Sequence, residues 1–299
     1  MKILVTGASG FIGNRLCTLL EQEGHDLTLV SRKKSNNLNS IVCNLESQKL
    51  SDTCLEGIDA VFHLAAKVHD LDSPDKNDCS YRKLNLTSTI ELARSSEKMG
   101  VKKFIFVSSV KAEKIYSSES FKKNNEVSSY ALTKKQAEEE LLEFNDSSKM
   151  AISIARPALV YGKNVKGNIS IMLQGIESGW FPPLPDIDSY KSMIHVDDVA
   201  RALLFILEDK NSSGQVFTLT DGVLYSPNDI YKILSKSLNK RISSIKIPLF
   251  FFKIVGFLNK TLDKKLQKLF SHEPYSSKKI TSRGFKVNYQ LDNINEKAF

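Results

Sequence analysis

The chain opens on a strand, a glycine loop and a helix in direct succession: "KILVT", then "GASGFIG", then the amphipathic run "FIGNRLCTLLEQEG". Gly7, Gly10 and Gly13 stand at the junction. Glycines there permit a tight turn and close approach of the backbone, and the helix behind them presents free N–H groups and the positive end of its dipole. A pyrophosphate suits such a loop. The spacing is GxxGxxG, and three glycines also make an ordinary tight turn, so the motif needs its context.

The context is an alternation. The strand-like runs "DLTLVS", "SIVC", "DAVFHLA", "KKFIFVSS" and "MAISIAR" are separated in several places by helix-length segments, among them "YRKLNLTSTIELARSSEKMG", which ends in a Gly100 cap. Strand and helix in repetition predict an α/β fold, a doubly wound parallel sheet of Rossmann type, with a smaller C-terminal substrate lobe. The rhythm changes after Arg156, and "GWFPPLPDIDS" reads as a proline-rich loop. The expected division is a dinucleotide-binding domain over 1–160, with 191–217 returning to it, and a substrate-binding lobe over 161–190 and 218–299.

Composition removes other classes. With 299 residues and 41% hydrophobic content the chain can bury a full core. Cys17, Cys43, Cys54 and Cys79 lack CxxC spacing, which fits neither a disulfide framework nor a zinc site and points to a reduced, cytoplasmic setting. No metal site is expected. No apolar run reaches membrane-spanning length; "IPLFFFKIVGFL", Ile247 to Leu258, interrupted by Lys253 and Gly256, reads first as a buried helix, the alternative being a peripheral membrane contact. The net charge of +8 attracts anions, but the lysines are scattered without interleaved aromatics, so a phosphorylated small molecule is expected and nucleic acid is not. His63 and His195 lie on apolar runs and read as satisfied core histidines.

Two places carry finer chemistry. Where the second strand ends, a carboxylate would accept hydrogen bonds from the ribose 2′-hydroxyl of NAD; this chain has Ser31 and Arg32, with Lys33 and Lys34 behind them. A guanidinium there favours a 2′-phosphate, so NADP is expected ahead of NAD, the alternative being a solvated basic turn. The second place is "SSYALTKKQAEEELL", where Tyr130 and Lys134 share a helix face at i and i+4. An ammonium so placed is expected to lower the phenol's pKa and let it exchange a proton with an alcohol or carbonyl oxygen. A second such pair, Tyr275 and Lys279, shows how weak the spacing is alone; only Tyr130 follows a strand ending in "FVSS", from which Ser108 or Ser109 could reach the same oxygen.

The ordered motifs "TGASGFIG", "DAVFHLAA", "FIFVSS", "YALTK", "RPALVYG" and "IHVDDVA" resemble the extended short-chain dehydrogenase/reductase family, NAD-dependent epimerase/dehydratase-like, over nearly the whole chain. Within it the chain looks nearest to bacterial UDP-N-acetyl-hexosamine 4-epimerase and 4-reductase proteins of surface-polysaccharide synthesis. The resemblance implies Ser109, Tyr130 and Lys134 as catalytic residues and Asn85 as a structural asparagine. It implies coenzyme contacts from Gly7, Gly10, Phe11, Ile12, Gly13, Ser31, Arg32, Asn44, Leu45, Leu64, Ala65, Ala66, Lys67, Tyr130, Lys134 and Pro157. Ser109, Asn168 and Lys191 are implied on the substrate, with His272 standing in for an arginine that "FSHEPYSS" lacks. Dehydratases of the family carry Asp-Glu after the catalytic threonine; Val110 and Lys111 occupy those places, so dehydration is disfavoured, and "AEKIY" replaces the usual "VYG".

The leading expectation is C4-keto reduction of a UDP-N-acetyl-(6-deoxy)hexose with NADPH; the alternatives are a UDP-sugar 4-epimerase and a non-catalytic dinucleotide sensor. The family also implies a homodimer formed through the Asn77 to Gly100 and Ser128 to Phe144 helices.

Overall fold

The computed structural model describes residues 1–33, 39–68, 78–113, 128–242 and 247–293. Lys34, Asn77 and the Lys114–Tyr116 part of "AEKIY" lie outside the described residues.

The chain divides into two compact units, Met1–Pro157 with Val199–Thr218, and Ala158–Asp198 with Leu219–Phe299. The first unit is built on strands β1 (Lys2–Thr6), β2 (Asp26–Ser31), β3 (Ser40–Val42), β4 (Ala60–His63), β5 (Lys103–Val107), β6 (Ala151–Pro157) and β9 (Gln215–Leu219), in the order β3-β2-β1-β4-β5-β6-β9. Parallel pairing sets Ile3 beside both Leu27 and Ala60, and Phe104 beside Val61 and Ile152. Ile3, Leu4 and Val5 are all fully buried, and so are Ala60 to His63. Helices on both faces explain why these strands read as continuous apolar runs and not as alternating ones. Each such aliphatic side chain withdrawn from water contributes roughly 1.5–3 kcal/mol.

Helix α1 (Phe11–Gln22) buries Gly13, Leu16, Cys17 and Leu20, one stripe at helical spacing. Helix α2 (Asp78–Tyr81) runs through a π-helical stretch, Arg82–Thr87, into α3 (Ser88–Lys98). That helix stops at Gly100, whose φ of +80° turns the chain and lets the Val101 amide return to the Ser96 carbonyl. Helix α4 (Ser129–Ser147) begins where Ser128 caps it, its Oγ accepting the Ala131 amide at 3.2 Å.

The second unit has a three-stranded sheet. Strand β8 (Lys191–His195) lies between β7 (Leu159–Tyr161), to which it is parallel, and β10 (Leu224–Tyr225), to which it is antiparallel. The expected return to the first lobe at residue 191 is therefore placed too early. Residues 191–195 form the centre of the second unit's sheet, and the chain re-enters the first unit at Val199, inside helix α6 (Val196–Glu208). Around this sheet stand α5 (Asn168–Glu177), α7 (Pro227–Ser237), α8 (Leu249–Leu258), α9 (Lys260–Leu269) and α10 (Lys278–Thr281). A full capping box opens α7: Ser226 and Asp229 each bond the other's backbone amide.

One expectation fails outright. Helix α8 is not a buried helix. Phe252 and Gly256 face inward, whereas Phe250, Phe251, Phe257 and Leu258 are exposed, Phe257 at 89%. Lys253 apart, the helix is apolar around its circumference, which gives little sequence signal for which side is covered; Gly256 packs on α9 and Phe252 on Phe270. Among the described residues no helix is long and apolar enough to cross a membrane, and no group of three or more His, Cys, Asp or Glu could hold a metal.

Candidate active site

In a parallel sheet the C-terminal ends of the strands share one edge, and ligands sit where the strand order reverses. Here that point lies between β1 and β4. The segments following β1, β2, β4 and β5 at this edge contain most of the residues singled out from the sequence.

The loop after β1 is shaped by exclusion of side chains. Gly7 has φ +70°, and a Cβ on it would lie 2.8 Å from the Ala65 amide nitrogen. A Cβ on Gly13 would lie 2.2 Å from the Gly7 carbonyl oxygen. Helix α1 therefore packs directly on the loop, and the loop on the segment after β4. Gly10 caps α1 without any side-chain acceptor, and no acidic residue stands in the first turn. The amides of Phe11, Ile12 and Gly13 thus open the helix in a form suited to an anion. The cradle fits the pyrophosphate of a dinucleotide.

Beyond β2, Ser31 Oγ donates to the Lys33 carbonyl at 2.5 Å and folds the turn, while Arg32 is exposed. Asn44 organises the turn after β3: its Oδ1 accepts the Glu46 amide, and its carbonyl accepts those of Ser47 and Gln48. Leu45 beside it is buried in the core.

The segment Leu64–Lys67 after β4 is tied at both ends. Thr6 accepts the Leu64 amide on its carbonyl and the Ala65 amide on its hydroxyl, each at 3.2 Å. Asn85, fully buried in the π-helical stretch, accepts the Lys67 amide at 2.8 Å and donates to the Lys67 carbonyl at 3.1 Å. Its Nδ2 also donates to Thr133 Oγ1 at 3.3 Å, the residue before Lys134. Asn85 thus couples the segment after β4 to the start of α4, and a π-helical widening is what admits such a side chain. Ala66 is half-buried, and Lys67 Nζ donates to Ser80 Oγ at 2.7 Å.

At the end of β5 the catalytic candidates meet. Lys134 is 1% exposed; its Nζ donates to the Val107 carbonyl at 2.8 Å and lies 4.2 Å above the centre of the Phe106 ring. Tyr130, one turn earlier on the same face, is hydrogen-bonded to Ser109. Ser109 sits in extended backbone and accepts the Lys111 amide at 3.3 Å. Ser108 Oγ, next to it, is buried without a hydrogen-bond partner among the described residues. Pro157 ends β6, buried.

The electrostatics differ from expectation. Burial pushes the Tyr130 phenol up to about 12, with the Ser109 hydrogen bond acting in the opposite direction and Glu138 adding to the rise. Burial likewise pushes Lys134 down to about 7, and only Glu138 opposes it. The expected lowering of the phenol by the ammonium does not hold here. The amine is aimed at a carbonyl oxygen and its charged form is itself disfavoured by burial, so desolvation dominates both groups.

Two groups of neighbours complete the surroundings: a buried ion pair that the sequence did not show, and His63, the satisfied core histidine expected from its apolar run. Glu138, fully buried, holds Arg156 through a bidentate pair, Nε to Oε1 at 2.9 Å and Nη2 to Oε2 at 2.5 Å. Glu113 takes a further nitrogen of the same guanidinium at 3.5 Å. Glu138 lies four residues after Lys134, the one hint available to spacing. The other group is His63, whose Nδ1 and Nε2 meet Thr6 Oγ1 at 2.7 Å and Thr89 Oγ1 at 2.9 Å. Burial and the charge of Lys134 push its pKa down to about 3, so it is neutral at pH 7.

The second unit contains the remaining candidates. Asn168 starts α5 and is half-buried. Lys191 is buried, and its Nζ donates to the carbonyls of Lys268 and Ser271 and to Ser271 Oγ, an arrangement that caps the end of α9. His272 accepts the Tyr190 amide on Nδ1 at 3.0 Å. These bonds give Lys191 and His272 structural work at the β8–α9 junction. His195 is buried against the rings of Tyr161 and Tyr289, its Nδ1 accepting the Asp197 amide at 3.3 Å.

Comparison with known proteins agrees with this architecture. A UDP-glucose 4-epimerase of Vibrio cholerae is 27% identical over 268 residues, covering 86% of this chain and 82% of its own length. An N-acetyl-alpha-D-glucosaminyl-diphospho-ditrans,octacis-undecaprenol 4-epimerase of Escherichia coli O157:H7 is 28% identical over 309 residues, covering 97% and 92%. The solved structure of a UDP-N-acetylglucosamine 4-epimerase from Bacillus cereus superimposes with a TM-score of 0.75 over 99% of this chain and 94% of that one at 18% identity, a likeness of fold. The model of the NAD dependent epimerase/dehydratase family matches residues 3–219, which takes in the glycine loop, Ser109, Tyr130 and Lys134, and the chain belongs to that family.

Proposed function

We propose that the protein is a nicotinamide-coenzyme-dependent 4-epimerase of a hexose carried on a diphosphate. The observation that carries this reading is the meeting of Ser109, Tyr130 and Lys134 at the end of β5, in the same unit and on the same sheet edge as a glycine cradle that fits a pyrophosphate. The two relatives that cover most of this chain at 27% and 28% identity are named as C4 epimerases, one of a UDP-sugar and one of a lipid-linked sugar diphosphate.

Gly7, Gly10, Phe11, Ile12 and Gly13 would hold the coenzyme's pyrophosphate, Ser31 and Arg32 its adenosine ribose, and Asn44 with Leu45 the adenine edge. Leu64 to Lys67, Pro157 and Lys134 would line the nicotinamide half. Bound there, the coenzyme supplies reversible hydride acceptance at C4. Tyr130 moves the accompanying proton at its phenolic oxygen, and Ser109 orients that oxygen by hydrogen bonding to it. When hydride leaves C4 the phenolate would take the proton of the C4 hydroxyl, and when hydride returns the phenol would give it back; the phenol, raised to about 12, is the form that serves the return half. Lys134, fixed by the Val107 carbonyl, stays within a turn of that phenol while keeping a pKa near the working range. Val110 and Lys111 directly follow Ser109 in place of a carboxylate pair, which disfavours water elimination. In the second unit Asn168 is proposed to bind the substrate's diphosphate.

A second reading, a 4-keto reductase using NADPH, rests on Arg32, an exposed guanidinium where a carboxylate would favour NAD. One stoichiometric experiment separates the two. Purified protein is given UDP-N-acetylglucosamine with NAD, and separately a UDP-4-keto-6-deoxy sugar with NADPH. The expected result is the C4 epimer in the first reaction with no net coenzyme oxidation. Stoichiometric NADPH loss in the second without epimer in the first establishes the reductase, and silence in both removes the reductase reading and the epimerase reading for UDP-sugars.

A further inference from the structure

The second unit contains a cavity of about 770 Å³ between α5, the 180–184 segment, α8 and α9. Its size is that of a ligand site, but its chemistry is wrong for a sugar or a phosphate. Met172, Phe181, Leu184, Phe252, Leu262 and Leu266 typify a lining in which only Asn168, Lys265 and the Trp180 indole offer a polar atom on a side chain. A diphosphate or a sugar ring in such walls would lose its hydrogen bonds to water and find almost none in return. A hydrocarbon chain would lose nothing.

The outer face of α8 continues this apolar surface into solvent. Phe250, Ile254, Phe257 and Leu258 stand at i, i+4, i+7 and i+8, one stripe, with Leu258 78% exposed and Phe250 63%. Trp180, which also lines the cavity, is 63% exposed as well. Large apolar side chains gathered this way mark an interaction surface. The same stretch, residues 247–269, carries five lysines against one aspartate. A second copy of the chain is a poor partner for it, because a two-fold contact would set two such basic segments against each other. An aromatic and aliphatic face among lysines fits the boundary of a bilayer with anionic headgroups.

We infer that this face of the second unit docks on an anionic membrane and that the cavity takes the first part of the hydrocarbon chain of a polyprenyl diphosphate bearing the sugar. This rests on the epimerase reading for the chemistry and deepens it by naming what the diphosphate is attached to. Asn168, proposed to bind that diphosphate, forms part of the cavity wall, so the polar head and the chain of one lipid would meet there.

The test uses the full chain and vesicles of phosphatidylglycerol with phosphatidylcholine, against vesicles of phosphatidylcholine alone. The wild type should sediment with the anionic vesicles only, and the double variant Phe257→Ser, Leu258→Ser should bind them roughly a hundredfold more weakly, since each side chain contributes on the order of one decade of affinity when buried. Both positions are too exposed for the change to threaten folding. With prenyl-diphospho-N-acetylglucosamine in the vesicles, kcat/KM should exceed that for UDP-N-acetylglucosamine and fall in the variant, while turnover of the UDP-sugar holds. A wild type that stays in the supernatant, or that forms a dimer broken by the variant, overturns the docking while UDP-sugar turnover would keep the epimerase reading. Equal kcat/KM on both substrates overturns the seat for the chain. Vesicle binding by a protein inactive on either substrate supports the docking and removes the epimerase reading.

Discussion

Lys134 combines two properties that ordinarily exclude each other: it is 1% exposed and it is a lysine. Its ammonium would be costly in that place, and burial brings it down to about 7, while Glu138, four residues on, holds it from falling further. Replacing Glu138 by Gln should keep much of the hydrogen bonding to Arg156 but remove the charge. The limb of the kcat/KM profile that reports Lys134 should then shift to lower pH, a displacement that loss of packing alone would not produce. A profile unchanged in position, with activity reduced at every pH, would make Glu138 a packing residue only. Tyr130 gives a simpler expectation. Tyr130→Phe removes the proton donor and leaves the ring, so turnover should fall roughly 10²–10⁴-fold while coenzyme binding, followed by titration, stays near wild type. Turnover close to normal would take Tyr130 out of the mechanism.

The elements matter through the two places where backbone replaces side chain. Gly13→Ala would put a methyl 2.2 Å from the Gly7 carbonyl oxygen, and neither backbone can yield without moving α1 off the loop. Overpacking of this kind costs roughly 1–3 kcal/mol, and here the coenzyme cradle takes the distortion, so coenzyme affinity should drop about tenfold or more. Affinity within a factor of about two of wild type would show that the loop tolerates the shift. The local geometry of these groups was legible in advance: glycines between a strand and a helix fix a turn within a few residues, and a tyrosine and a lysine four apart share a helix face, although Tyr275 and Lys279 show that this spacing alone does not mark a site. The rest was hidden for equally physical reasons. Glu138 and Arg156 are 18 residues apart and meet only because α4 packs on β6. The run through His195 was recognisable as apolar, but that does not say in which sheet it lies, and Lys191–His195 belongs to the second. Helix α8 was recognisable as a helix, and its apolarity on every side but that of Lys253 left open which face the fold would cover.

At the scale of the molecule the two units carry opposite proton linkages. In the first unit His63 has a native pKa near 3 against an ordinary 6.5, so as pH falls from 6.5 toward 3 the unfolded chain binds a proton the native one refuses. Stability is full above pH 6.5 and is lost across that window, by up to something on the order of 5 kcal/mol. In the second unit Asp221 lies buried, accepting hydrogen bonds from the hydroxyls of Tyr161 and Tyr225, and burial raises it from 3.8 to about 6. Between about 6 and 3.8 its native form holds a proton that the unfolded form releases, so this contribution grows as pH falls. The growing positive charge of a basic chain weakens both units in acid, and comparing them within one molecule removes that common effect. Hydrogen exchange at pH 7 and at about pH 4.5 should therefore show protection in β1 and β4 falling much further than in β8 and β10. His63→Gln should narrow the gap by removing the titrating group from the first unit. Protection lost in step in both units would show that they open as one, and the linkage of His63 would then be shared by the whole chain.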